Sequence, residues 1–136
     1  MKTEFKDYLQ KKHAQQIIDG IGQKYADKKI ILYGAGLFAG ELMRNYDFSK
    51  LNIIGVADRK FQEHREGDFY GYKKLGPLDL LETEFDLLLI STYDDTDIKD
   101  YLKNDLLQGE EINFKIKTLV RMNVLEYVHG MLEGDF

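Results

Sequence analysis

Apolar residues recur along the chain in short blocks of alternating period. Over residues 3–25, Phe5, Tyr8, Leu9, Ile17, Ile18, Ile21 and Tyr25 return at spacings near three and four, with lysine, glutamine and aspartate between them. That period predicts a helix. Gly20 and Gly22 weaken its end. Ile30-Ile31-Leu32-Tyr33 is a short apolar run met at once by glycine, the mark of a buried strand. Phe38, Leu42 and Tyr46 repeat every fourth residue and predict a second helix from Gly36 to about Tyr46. Residues 51–57 read as the next strand, 58–71 as a mostly irregular polar loop, and 72–75 as a short strand. Gly76-Pro77 breaks the pattern, and Pro77 suits the first turn of a short helix through Leu81.

Residues 86–91 form the clearest strand after the first. Asp94, Asp95 and Thr96 are N-cap candidates for a helix ending near Gly109. Over residues 114–120, Phe114, Ile116 and Thr118 alternate with Lys115 and Lys117, which predicts an edge strand with one face exposed. Residues 123–132 read as a closing helix with Val124, Leu125 and Val128 inward. Strands alternating with helices imply an α/β fold: a Rossmann-like, doubly wound, mostly parallel sheet of about five strands with helices on both faces. The 136 residues suit one domain, with residues 1–27 an N-terminal helix packed on the core and 122–136 a closing helix and tail.

The segment that carries chemistry is Tyr33-Gly34-Ala35-Gly36-Leu37-Phe38-Ala39-Gly40. It reads strand, then G-x-G-x-x-A, then helix. Gly34 permits the tight turn out of the strand. Gly36, lacking a Cβ, lets a pyrophosphate approach the backbone. Ala39 and Gly40 let the helix lie close to the sheet. The helix start turns unpaired N–H groups and a positive dipole end toward an anion. Asp58 closes the second strand about 20 residues past Gly36, where dinucleotide sites place the carboxylate that binds a ribose hydroxyl. Asp58 favours NAD over NADP, because a carboxylate repels a 2′-phosphate. Arg59 beside it is the residue type that holds such a phosphate, and its sequence context reads more simply as a polar surface loop.

Composition narrows the partners. The net charge is −5 and the sequence pI about 5.2, which does not suit a nucleic-acid partner. Cysteine is absent, which excludes disulfides, cysteine-based zinc sites and a thiol nucleophile, and fits a cytoplasmic setting. The first residues lack the apolar stretch of a signal peptide. No apolar run approaches the roughly 20 residues that span a bilayer, so no membrane insertion is expected.

Other catalytic patterns are weak. Tyr-x-x-x-Lys occurs as Tyr8/Lys12, Tyr25/Lys29 and Tyr70/Lys74, and none stands where a short-chain dehydrogenase needs it. His13, His64 and His129 lie far apart and suggest no metal site; only His64 has functional interest, because the loop after the second strand can fold towards a nucleotide, and it reads more simply as a surface histidine. Ser91 lacks the G-x-S-x-G elbow of a hydrolase. Asp94, Asp95 and Asp97 suit helix capping better than Mg²⁺.

The order Lys29-Ile30-Ile31-Leu32-Tyr33-Gly34-Ala35-Gly36, Ile54-Gly55-Val56-Ala57-Asp58, Tyr70-Gly71-Tyr72, Gly76-Pro77-Leu78 and Phe85-Asp86-Leu87-Leu88-Leu89-Ile90-Ser91 resembles a family. It is that of the small Rossmann domains of bacterial polysaccharide and nucleotide-sugar proteins. The resemblance covers about residues 25–120 and implies a site for NAD(H) or for the uridine diphosphate of a sugar nucleotide. Carried onto this chain, it implies phosphate contacts at Gly34, Ala35, Gly36, Leu37 and Phe38, a ribose or base contact at Asp58 with Arg59 beside it, and Ser91 and Thr92 lining the crevice. The chain departs from the family at the third small position, Ala39, and in lacking the usual catalytic partner domain. That leaves three expectations: a nucleotide-binding module fused to or partnered with a catalytic domain, a complete small NAD-dependent oxidoreductase, or a scaffold in which the apolar faces of the terminal helices build a homodimer.

Overall fold

The computed structural model describes residues 2–120. Six strands form one sheet: β1 Ile30–Tyr33, β2 Ile53–Ala57, β3 Asp68–Phe69, β4 Tyr72–Leu75, β5 Leu87–Ile90 and β6 Lys115–Thr118. Their order is β3-β4-β2-β1-β5-β6. All neighbours pair in parallel except β3 and β4. The helices are α1 Lys2–Lys11, α2 Ala14–Lys24, α3 Leu37–Asn45 and α4 Thr96–Tyr101, the last continuing as a π-helical turn over Leu102–Leu106. Short 3-10 turns occupy Arg59–Gln62 and Pro77–Leu81.

The central strands have both faces covered, so every residue of β1 and β5 is buried and their sequences are unbroken apolar runs. The two-residue side-chain period sorts them into two cores. Ile30, Leu32, Val56, Leu87 and Leu89 pack under α1, α2 and α3 through Leu9, Ile18, Ile21, Phe38 and Leu42. Ile31, Tyr33, Ala57, Leu88 and Ile90 pack on the opposite face with Leu75, Leu80, Leu102 and Leu107.

The expected N-terminal helix is two helices. His13 adopts left-handed φ 54°, and the break lets Leu9 of α1 and Ile18 of α2 enter one core. Gly20 and Gly22 do not end α2. A Cβ at Gly22 would stand 2.8 Å from Lys50 Cβ, so this glycine allows the loop before β2 to cross closely.

The polar loop of residues 58–71 holds more structure than its composition suggests. Asp68–Phe69 turns back on β4 as a hairpin, with Phe69 opposite Tyr72. The connecting Tyr70 and Gly71 both have positive φ, 52° and 88°, and Gly71 N–H donates to Asp68 Oδ1 at 2.8 Å. Such two-residue loops need positive φ at both positions. The sixth strand therefore comes from this hairpin.

Strand β6 takes the expected edge position, pairing with β5. Ile116, expected to face inward, is 38% exposed. The expected helix to Gly109 ends its α-helical part at Tyr101. The closing helix expected over 123–132, with His129, lies outside the described residues. Among the described residues, no helix is long and apolar enough to cross a membrane.

Candidate functional site

The chain leaves β1 through the glycine turn into α3 and on to β2, on one side of β1. On the other side β5 leads to α4 and then to β6 at the far edge. The connections therefore diverge above the C-terminal ends of β1 and β5. In open parallel sheets that divergence opens a crevice. The glycine turn and residues 91–95 follow directly on those two strand ends.

The two glycines of the turn have different physical reasons. Gly34 has φ 120°, and a Cβ there would stand 2.6 Å from Thr92 Cγ2 and 3.1 Å from Ser91 O. Its N–H donates to Ala57 O at 2.8 Å. Gly34 is thus demanded by backbone and packing alike. Gly36 has φ −96° and ψ −160°, an extended conformation open to other residues, and a Cβ there would meet no atom within 4 Å. Neither strain nor a neighbour of this chain calls for glycine at Gly36.

Between them, Ala35 is buried and clamped from both sides. Its N–H donates to Asp58 Oδ2 at 2.9 Å, and its carbonyl accepts from Lys60 Nζ at 2.5 Å. Asp58 Oδ1 also accepts from Lys60 N–H at 3.1 Å, which starts the 3-10 turn after β2. The carboxylate assigned to ribose on sequence grounds is therefore also the cap of the glycine turn. Ala35 N–H, expected to face phosphate, is already engaged. Lys60 was missed from the sequence; a lysine two residues after a strand-closing aspartate is the signal that points to it.

Leu37 opens α3 with its side chain 60% exposed. The first N–H groups of a helix have no acceptor within it, so those of Gly36 and Leu37 have none inside α3. Phe38 contributes only its backbone there. Its ring is buried and stacks edge-on against Phe5 at 5.3 Å and Tyr93 at 5.5 Å. Ser91 is 1% exposed, and its hydroxyl lies 2.9 Å from Gly34 O and 3.2 Å from Tyr33 O, so it braces the turn from beneath. Thr92 packs its methyl against Gly34, and its hydroxyl donates to Asp94 O at 3.1 Å.

Arg59 is not a bare loop residue. Its guanidinium carbon lies 3.5 Å from the centroid of the Tyr101 ring. Beside Arg59 and Tyr101, at the tip of β1, Tyr33 is 2% exposed, and its hydroxyl makes no hydrogen bond of ordinary geometry, although the Arg59 guanidinium approaches it as a donor. Burial first, then the neighbouring Tyr101, raise the Tyr33 pKa to about 12; the Arg59 guanidinium opposes this and the Asp58 carboxylate adds to it. An ordinary tyrosine titrates near 10. The fold therefore favours the protonated phenol: this contribution to stability is whole below pH 10 and is lost as pH rises toward 12. Melting temperatures followed from pH 9 upward should fall more steeply for the wild type than for Tyr33→Phe. Parallel curves would contradict the assignment.

The N-cap of α4 is Asp95, whose side chain makes no cap bond; Asp94, one residue earlier, accepts from Thr96 N–H through Oδ1 at 3.0 Å. Asp95 instead accepts from Lys99 Nζ at 2.7 Å and from Thr118 Oγ1 at 2.5 Å. Among the described residues, no group of three or more acidic, histidine or cysteine side chains is placed to hold a metal ion.

No curated protein and no solved structure matches this chain. A family model does, over residues 26–113, which takes in β1 to β5, the glycine turn, Asp58, Lys60 and Tyr101. The chain belongs to the C2185-like, N-terminal family.

Proposed function

We propose that this chain is a Rossmann-like, doubly wound nucleotide-binding domain, taking NAD(H) or a sugar nucleotide in the crevice above β1 and β5, in the service of bacterial surface-sugar metabolism. The observation that carries the reading is Gly36: a residue without a side chain, at the start of α3, where the chain itself gives no reason for one to be missing. A phosphate approaching the main chain supplies that reason.

In this reading, Gly36 and Leu37 N–H groups and the α3 dipole hold the phosphates. Lys60 Nζ, held at the turn by Ala35 O, adds a cation there. Asp58 Oδ1 retains lone-pair capacity for a ribose hydroxyl while Oδ2 caps Ala35. The strand order supports the same reading. With β3 set aside, the five parallel strands run third, second, first, fourth, fifth, the order of a dinucleotide-binding half extended by its neighbours. The domain binds, and a partner or fused domain supplies the reaction.

The test is thermal unfolding with NADH, UDP and UDP-glucose. Ligand at 100 times its Kd should add about 2.7 kcal/mol and raise Tm by several degrees. Gly36→Ala should fold, losing at most about 1 kcal/mol from its capping position, and should show a much smaller ligand shift. The reading fails if no nucleotide moves Tm, or if Gly36→Ala responds as the wild type does. A ligand-free dimer in solution would select the scaffold in its place.

A further inference from the structure

Resting on the nucleotide reading, we infer that Tyr33, Arg59 and Tyr101 form the slot for the nucleobase, with the Tyr33 hydroxyl as the donor that reads an acceptor on the base edge. Three independent observations meet there. Tyr33 is almost wholly buried, and its hydroxyl makes no hydrogen bond of ordinary geometry, with only partial relief from the Arg59 guanidinium approaching as a donor, which is costly in a folded protein. It stands at the tip of β1, immediately before Gly34, on the same end of the sheet as the phosphate turn. It neighbours Arg59, an exposed residue whose guanidinium carbon lies 3.5 Å from the centroid of the Tyr101 ring.

A buried, poorly satisfied hydroxyl beside a movable planar cation has the composition of a closed recognition slot. Swinging Arg59 aside uncovers the hydroxyl and one face of Tyr101. A planar heterocycle entering there stacks on Tyr101, takes Arg59 on its edge or outer face, and gives the phenol an acceptor. Stacking between a base and an aromatic ring tolerates any base, so selection falls to the hydroxyl.

Calorimetry of wild type and Tyr33→Phe with NADH, UDP and inorganic pyrophosphate tests this. Removing a poorly satisfied buried hydroxyl should leave Tm unchanged or raise it. The same change should weaken the better-bound nucleotide by about three- to tenfold, the worth of one hydrogen bond. Pyrophosphate, which has no base, should bind both proteins equally. Arg59→Ala should open the slot and reduce the Tyr33 effect less than it reduces total affinity.

Equal nucleotide affinity of wild type and Tyr33→Phe, with binding intact, overturns the slot and leaves the phosphate turn standing. Parallel loss of pyrophosphate and nucleotide binding also overturns it, since the change would then act on the turn. Absence of any nucleotide binding by wild type removes both readings together.

Discussion

Gly34→Ala is expected to destabilise the fold by about 3 kcal/mol or more, from left-handed strain of about 1–2 kcal/mol and overpacking of about 1–3 kcal/mol. The φ of 120° is a region an L-residue rarely enters, and the new Cβ would drive into Thr92 Cγ2 and the Ser91 carbonyl. Neither neighbour is free to yield. Thr92 is tied to Asp94 O by its hydroxyl. Ser91 belongs to the end of β5, where its N–H donates to Tyr33 O at 2.8 Å. Urea unfolding of Gly34→Ala, Thr92→Ser and the double variant separates the two causes. Serine lacks the methyl group, so the double variant should recover the steric share and keep the backbone share. A Gly34→Ala protein within about 0.5 kcal/mol of wild type, the size of an ordinary surface change, would refute the account.

The second large effect belongs to Asp58. Asp58→Ala removes the acceptor of two main-chain donors and leaves the buried Ala35 N–H without one. An unsatisfied buried donor costs about 1–3 kcal/mol. Asp58→Asn keeps one carbonyl oxygen for Ala35 and should lose less. Hydrogen exchange at the Ala35 amide should speed up in the alanine variant and stay slow in the asparagine variant. Affinity divides differently. If Asp58 also holds ribose, Asp58→Asn should weaken NADH about tenfold or more, the scale of a hydrogen bond to a charged group, with the fold preserved. Wild-type affinity in Asp58→Asn would restrict the carboxylate to the turn.

These two residues show how the glycine turn is tied into the fold. Asp58 stands at the end of β2 and Gly34 at the end of β1, and Lys60 returns from the 3-10 turn to the same alanine. The turn is built by contacts from three separate segments of chain, residues 33–36, 58–60 and 91–92. In the proposed reading, that rigidity holds the amides of Gly36 and Leu37 ready for a phosphate.

Much of this was legible in the sequence. The unbroken apolar runs Ile30–Tyr33 and Leu87–Ile90 identified the central strands, because strands buried on both faces carry no polar alternation. Gly-x-Gly after the first run located the turn, and the spacing to Asp58 paired that residue with it. The break at His13 was not legible: Lys11-Lys12-His13 contains no glycine or proline, and the bend accompanies the entry of Leu9 and Ile18 into one core. The β3–β4 hairpin was partly legible, since Tyr70-Gly71 between Phe69 and Tyr72 is a two-residue turn signal hidden in a polar loop.

Local pattern thus determined which segments lie inside and where the chain had to turn, because periodicity and the absence of a Cβ act within a few residues. Tertiary structure decided which polar groups are already satisfied. Asp58 serving Ala35, Ser91 bracing Gly34, and Tyr33 buried beside Arg59 and Tyr101 all depend on side chains up to 68 positions apart meeting at one end of the sheet. Hydrogen bonding is decided over about 3 Å of space, and no spacing along the chain encodes that distance.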